Sequence, residues 1–258
     1  MSWVSAWRLA VGTLTVIPVR PPETVDRTTA GRAMTLAPLA VLPLAAVAAG
    51  LGRVAALTSW PPLLAGLVVV AVLAVGTRAL HLDGLADTVD GLGSGREPVR
   101  ALEIMRRGDV GPMGVVALLL VLGGQTVAAS ALVDATGTAV LLVVLIASSR
   151  VALLVACRAG VTAARPGGLG ATVAGTVRRP VLVGVGGMTA VAVAGASDLA
   201  GAGWWSGVAA VIAAAFVAYV VVRRAVARLG GITGDVLGAV VELTLLTLLL
   251  ATTLVGQG

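Results

Sequence analysis

The chain contains no lysine: all eighteen of its basic residues are arginine. A coding bias towards Arg, Ala, Gly and Val accounts for that, and composition alone is a weak guide to function. Cysteine is nearly missing as well. The lone Cys157 excludes a disulfide framework and a cysteine metal site. Charge of either sign is scarce, at 12% of residues against 58% hydrophobic. That balance argues against a soluble protein, although 258 residues would suit one or two soluble domains.

What the chain has in abundance is long apolar sequence. Mean hydropathy is +1.04. Apolar stretches of about 20 residues recur, the length that crosses a hydrocarbon core roughly 30 Å thick. Thirty-four glycines suit helices packed closely through small residues, and the five tryptophans (Trp3, Trp7, Trp60, Trp204, Trp205) sit near segment ends, as interfacial anchors do. The net charge of +6 therefore reads as a topological signal and not as a nucleic-acid surface. The expected fold is all-α: a polytopic integral membrane helical bundle forming a single transmembrane domain over residues 1–258. It should have about seven transmembrane helices, a short N-terminal interfacial helix and a cytoplasmic amphipathic helix.

Taken in order, residues 3–17 are too short and interrupted to span and suit an interfacial or re-entrant helix. Arg8 interrupts this run and no cleavage site is evident, so no removable signal peptide is expected. Spans are expected at about 33–52, 61–82, 112–133, 138–157, 180–200, 205–222 and 234–255, with Pro38 and Pro43 tolerated as kinks. A short amphipathic helix is expected from Glu97 to Arg107. Arginine then assigns the sides: the segments 84–111, 158–179 and 223–231 carry it, whereas the connections near Asp134–Gly137 and Asp198–Gly203 and the C-terminal tail do not. Only Arg53 breaks the alternation. The positive-inside rule gives a cytoplasmic N-terminus and an external C-terminus.

The second span feeds into His81-Leu82-Asp83-Gly84-Leu85-Ala86-Asp87-Thr88-Val89-Asp90-Gly91, which puts three carboxylates into eight residues. If the helix continues, Asp83, Asp87 and Asp90 fall at i, i+4 and i+7 on one face, where they repel unless a cation sits between them. The last span starts on the same side with Thr233-Gly234-Asp235, and Glu242 shares a helical face with Asp235, about 10 Å deeper. Gly238, between them, would let another backbone or a ligand approach. Carboxylates without His or Cys partners indicate a hard cation, Mg²⁺ or Mn²⁺, completed by phosphate oxygens. Asp83, Asp87, Asp90 and Asp235 are the candidate metal ligands.

Other polar residues have two readings each. Arg150 lies inside a span, where it would pair with an acid or meet a substrate phosphate. The loop Arg165-Pro166-Gly167-Gly168-Leu169-Gly170 would approach a phosphate through its amides or serve as a flexible connector. His81 points away from the three aspartates, which favours a supporting hydrogen bond over direct catalysis. Glu103 stands between Arg100 and Arg107 at helical spacing, which surface pairing explains.

With these residues in view, the chain resembles the adenosylcobinamide-GDP ribazoletransferase (cobalamin synthase) family. The matching blocks are His81-Leu82-Asp83-Gly84-Leu85-Ala86-Asp87 with Asp90-Gly91, and Leu102-Glu103-Ile104-Met105-Arg106 with Gly111 and Gly114. Ser149-Arg150, Gly168-Leu169-Gly170, and Gly231-Ile232-Thr233-Gly234-Asp235 with Gly238-Ala239 and Glu242 complete them. Together they reach from about residue 7 to 242. The chain departs from the family pattern at Arg107-Gly108-Asp109, where the charge order is reversed. No role is carried onto Arg107, and Asp109 is only a secondary candidate.

The resemblance implies a multi-pass enzyme of the cell inner (cytoplasmic) membrane, with its active site facing the cytoplasm. It would join adenosylcobinamide-GDP to α-ribazole, or α-ribazole 5′-phosphate, with Mg²⁺, releasing GMP. Asp83, Asp87, Asp90, Arg150 and Glu242 become the catalytic candidates. His81, Glu103, Arg150, Gly168, Gly170, Thr233 and Asp235 become the substrate-binding ones. The implied partners are the two substrates and the lipid bilayer, without nucleic acid, and a homo-oligomer or association with other cobalamin-pathway enzymes is compatible. A CDP-alcohol phosphotransferase is the runner-up, because Asp87-Thr88-Val89-Asp90-Gly91 begins like that family's motif, but Ser94-Gly95 breaks the continuation. A cation transporter fits less well, since the acids gather at one face instead of lining a path.

Overall fold

The computed structural model describes residues 2–134 and 136–255. The C-terminal tail beyond 255, and Ala135 in the connection between the third and fourth expected spans, lie outside the described residues. Among those described, the chain is helical, with only two isolated β-bridges, Arg158 to Val177 and Ala163 to Ile232. The helices are α1 (Trp3–Leu14), α2 (Arg27–Ala40), α3 (Leu42–Ala56), α4 (Pro62–Gly76), α5 (Leu80–Gly93), α6 (Pro98–Ile104) and α7 (Pro112–Ser130). They continue with α8 (Thr136–Ser149), α9 (Val151–Ala156), α10 (Gly168–Val173), α11 (Arg179–Leu199), α12 (Trp204–Leu229) and α13 (Gly234–Val255). Proline opens α3, α4, α6, α7 and α11 in the first turn, where its missing N–H costs nothing.

Six helices or collinear pairs are long and apolar enough to cross a membrane, and a seventh crossing results if α4 and α5 count as one broken span. This is a multi-pass membrane bundle. The expected first span lengthens to Arg27–Ala56, because α2 runs into α3 through Val41 with Pro38 accommodated inside the helix. The amphipathic segment is real but shorter than expected, as α6. The expected arginine loop at 223–231 is corrected. Arg223, Arg224 and Arg228 ride on α12, which runs on to Leu229 and stops at Gly230 in the left-handed conformation, φ 79°.

The larger correction concerns the second span, which does not run straight into the acidic motif. α4 ends at Gly76, and α5 leaves at 90° to it. The corner is made by two successive non-glycine residues in the left-handed region, Arg78 (φ 56°) and Ala79 (φ 54°). Such residues persist only where neighbours over-determine them. Here the neighbour is the end of α1. Val16 N–H donates to the Gly76 carbonyl at 2.8 Å, and the Arg78 guanidinium donates to the Gly12 carbonyl at 2.7 Å. α1 thus holds the corner that aims α5.

α5 then packs against α13 and α7, and α13 also contacts α8, α9 and α12. The acidic motif is therefore clamped to the start of the last span. On the outer side of α13, α11 and α12 expose Val183, Met188, Val191, Ile212 and Phe216, as lipid-facing helices do.

Candidate active site

The α5–α13 crossing is built on two glycines. A Cβ on Gly84 would lie 2.6 Å from the Asp235 carbonyl oxygen, and one on Gly238 would lie 2.8 Å from that of His81. Both contacts exclude any side chain, so the approach anticipated at Gly238 is made by a backbone, that of α5. The crossing brings residues some 150 positions apart into one site. It places Asp83 and Asp235 on the wall of a cavity of about 290 Å³, whose floor includes His81, Leu153 and Leu237 and whose rim carries Gly167–Gly170 and Arg165. Gly170 closes against the backbone at Ile232 and Thr233, which seats the Gly-rich turn on the start of α13.

The charges converge as the spacing implies. Asp87 lies within electrostatic reach of Asp83, Asp90, Asp235 and Arg165. Arg165 Nη2 stands 3.6 Å from Asp235 Oδ2. Thr233 caps α13, its hydroxyl donating to Asp235 Oδ2 at 3.1 Å and accepting from the Val236 amide at 3.3 Å. Arg165 Nε is buried without a hydrogen-bond partner. Partial burial lowers the Arg165 pKa from the ordinary arginine value, and Asp235 opposes that shift. A poorly hydrated guanidinium with an unused donor at a cavity rim is a receptor for an anion.

Asp90 does something else. Its Oδ2 accepts from the Gly111 amide at 2.7 Å and its Oδ1 from the Gly114 amide at 2.9 Å, so both oxygens satisfy the free amides at the start of α7. It shares the helical face expected for it, yet it serves as the clasp between α5 and α7. Glu103 is exposed and paired with Arg100 at 2.6 Å, the surface pairing its spacing suggests. Asp109 and Arg107 line a separate shallow hollow beside Asp90.

Below the cavity lies a buried polar cluster. Glu242 Oε2 accepts from Gln125 Nε2 at 2.8 Å, and Glu242 Oε1 stands 3.9 Å from His81 Nδ1. Arg150 is 1% exposed, donates to the Ile146 carbonyl and to Ser149 Oγ, and lies within electrostatic reach of Glu242 and His81. Arg150 therefore sits near an acid without a direct ion pair to it, and its Nε is buried without a hydrogen-bond partner, so the placement leaves both readings of Arg150 open. His81 is the bridge, lining the cavity above and facing Glu242 below.

Among the described residues, no three of His, Cys, Asp and Glu are gathered tightly enough to form a ready-made metal cage. Mg²⁺ does not require one, since it usually binds through one or two carboxylates and keeps water and phosphate ligands. Exposed Asp83, half-buried Asp87 and Asp235 offer that kind of all-oxygen set, so the residues fit a Mg²⁺–diphosphate pair.

A family model described as cobalamin-5-phosphate synthase matches residues 6–253. The chain belongs to the cobalamin-5-phosphate synthase family. It is 49% identical over 246 residues to an adenosylcobinamide-GDP ribazoletransferase of Nocardioides sp., covering 95% of this chain and 97% of that protein. Proteins of the same name from Frankia casuarinae (42% identity, 92% of this chain and 90% of the relative) and Corynebacterium efficiens (37%, 91% and 86%) are also similar. No solved structure matches the chain.

Two residues beside this candidate site escaped the sequence reading. Arg165 belongs to the Gly-rich loop, which drew attention for its amides while its side chain was passed over. Gln125 is a single amide inside the apolar α7, and a polar residue in a span was the available signal.

Proposed function

We propose that the chain joins adenosylcobinamide-GDP to α-ribazole, or its 5′-phosphate, in the cavity between α5, α10 and α13, releasing GMP. Membership of the cobalamin-5-phosphate synthase family over residues 6–253 carries this reading, and its relatives bear the corresponding name. The reaction needs a diphosphate held beside a nucleophilic hydroxyl. Asp83 and Asp235 on the cavity wall, Asp87 beside them and Arg165 on the rim are the groups suited to it.

Asp83, Asp87 and Asp235 would hold Mg²⁺, which when bound neutralises diphosphate charge and polarises the reacting phosphoryl group. Arg165, only loosely paired with Asp235 at 3.6 Å and with its Nε unused, would turn its guanidinium to the diphosphate oxygens. The ribazole 3′-hydroxyl attacks the phosphorus attached to cobinamide. The bond from that phosphorus to the bridging oxygen breaks, and GMP leaves with the electron pair. An acid of the site, Asp87 where it is not engaged with the metal or Glu242 below, would take the hydroxyl proton. Asp90 keeps α5 fixed to α7, and Gln125 holds Glu242 beneath the cavity, where it faces His81 at 3.9 Å. Positioning and charge stabilisation dominate such phosphoryl transfers.

The chain is multi-pass, and this reading places it in the cytoplasmic membrane with its N-terminus and cavity facing the cytoplasm. Arg96, Arg106, Arg158 and Arg165, in the segments on the cavity side, support that orientation. The exposed apolar faces of α11 and α12 leave room for a homo-oligomer or another enzyme of the pathway to pack within the bilayer. The test is to supply purified protein with adenosylcobinamide-GDP and α-ribazole, with and without Mg²⁺. GMP and a cobalamin product should form only when all three are present. Absence of product, or turnover of a cytidine nucleotide with a lipid alcohol, overturns the reading.

A further inference from the structure

Across α2 from the catalytic cavity lies a second hollow, of about 440 Å³. α2 is the wall between them: its Met34 faces the cavity, whereas its Gly31 and Thr35 face the hollow. The steps of phosphoryl transfer use none of the residues that line this hollow. Three of those residues are arginines, Arg27 and Arg32 from the start of α2 and Arg178 from the N-cap of α11.

The arginines are differently employed. Arg27 is built into the wall, donating to the carbonyls of Ala171 at 2.7 Å and Ala174 at 2.5 Å, at the far end of α10. Arg32 stands over the Trp3 ring, 5.1 Å from its centroid. Arg178 is exposed at the mouth. The acid at the edge, Asp26, accepts from the Thr29 amide at 2.7 Å and lies within reach of Arg32. Among the described residues, the lining of the hollow holds three guanidinium groups and no carboxylate, so it is cationic.

The apolar side of the hollow is as telling as its charge. Trp3 is 56% exposed there, and Val181 opens α11 towards the lipid-facing surface. Val181, Met188 and Val191 follow at i, i+7 and i+10, on one face of α11, and all three are exposed. A cationic cup, an interfacial tryptophan and an apolar track leading from the cup along a membrane helix form one continuous surface. A soluble anion would use only the first of these.

We propose that this hollow binds the phosphate headgroup of an anionic glycerophospholipid, with an acyl chain lying along α11. Guanidinium groups pair with phosphate oxygens in a fork, and basic groups at the membrane surface favour anionic lipid. The bound lipid also touches the machinery of the neighbouring site. Arg27 ties the hollow to one end of α10, and the other end of α10 presents Gly168–Gly170 to the catalytic cavity. Headgroup binding therefore steadies the turn that borders the reacting diphosphate.

The test is direct binding of fluorescent phosphatidylglycerol or phosphatidylcholine to the purified full chain in neutral detergent, without substrates. Saturable binding is expected, tighter for phosphatidylglycerol, and Arg178→Gln should weaken it about fivefold, as befits one basic group near a headgroup. Arg179→Gln is the control, because it removes the same charge from an exposed neighbour that does not line the hollow. Both variants alter exposed side chains, and an unchanged melting temperature confirms that each is folded. Equal affinity for the two lipids overturns the proposal. So does an Arg179→Gln loss as large as that of Arg178→Gln, which would mean general surface charge. Displacement of phosphatidylglycerol by an equal concentration of glycerol 3-phosphate would assign the hollow to a soluble phosphate and overturn the lipid.

Discussion

Gly238 of α13 faces Gly84 of α5 so closely that a Cβ on Gly238 would fall 3.2 Å from the Gly84 Cα, besides meeting the His81 backbone. The distance between the two halves of the acid cluster is set at this crossing. Gly238→Ala should push α5 from α13, separating Asp83 from Asp235. Overpacking of this kind costs about 1–3 kcal/mol of stability, and GMP release should fall by more than the melting temperature implies. Gly123→Ala is the comparison, since a Cβ there meets nothing within 4 Å. Equal activity for the two variants would show that the crossing distance does not matter.

Asp87 and Asp90 share a helix and a residue type, but only Asp90 accepts from the Gly111 and Gly114 amides of α7. Asp87→Asn should abolish Mg²⁺-dependent GMP release while the protein still inserts and melts normally. Asp90→Asn turns one of the two acceptors for the Gly111 and Gly114 amides into a donor, so it should lower stability by about 0.5–1.5 kcal/mol, the net worth of a hydrogen bond. Its residual activity should keep the wild-type Mg²⁺ dependence. A shifted Mg²⁺ requirement in Asp90→Asn would put that residue among the metal ligands after all.

Much of the site was legible because it is made of expensive residues. Asp83, Asp87 and Asp235 stand out where apolar sequence meets the aqueous side, and the glycines beside them mark close approach. The corner at Arg78 and Ala79 was not legible, because neither residue type signals a left-handed turn; bonds from distant Gly12 and Val16 impose it. The Arg165–Asp235 pair joins residues 70 positions apart, and no local spacing encodes it. Arg150 and Glu242 were visible as buried charges, yet Gln125, the partner of Glu242, comes from another helix, α7. Three acids at helical spacing looked like three equivalent ligands, and only the position of α7 separates Asp90 from the others.

Gln125 supplies the side-chain hydrogen bond that Glu242 Oε2 receives inside the bundle. Replacing it with leucine keeps similar bulk and strands a buried carboxylate oxygen. A loss of about 1–3 kcal/mol follows from an unsatisfied buried acceptor, and more if the group is charged. Gln125→Leu should therefore melt well below the parent protein in detergent. Glu242→Gln in the same background should recover part of that loss, by removing a buried charge that has lost its hydrogen bond. No recovery would show that the Gln125–Glu242 bond is not what holds this layer.

Arg165 and Asp235 make the remaining case, since their contact at 3.6 Å is long for an optimised ion pair. A pair held that loosely, with Arg165 Nε unused, is better arranged to receive a diphosphate than to stabilise the fold. Arg165→Gln should then leave the melting temperature nearly unchanged, since partly exposed pairs contribute about 0–1 kcal/mol. Its kcat/KM for adenosylcobinamide-GDP should drop by about 10²-fold or more, as when one preorganised donor to developing charge is removed. Arg165→Lys restores the charge without the planar fork and should fall between the two. Steady-state kinetics together with thermal melting separate these effects. A melting loss that accounts for the whole drop in activity would make Arg165 a structural residue, and the cavity rim would need another cation for the diphosphate.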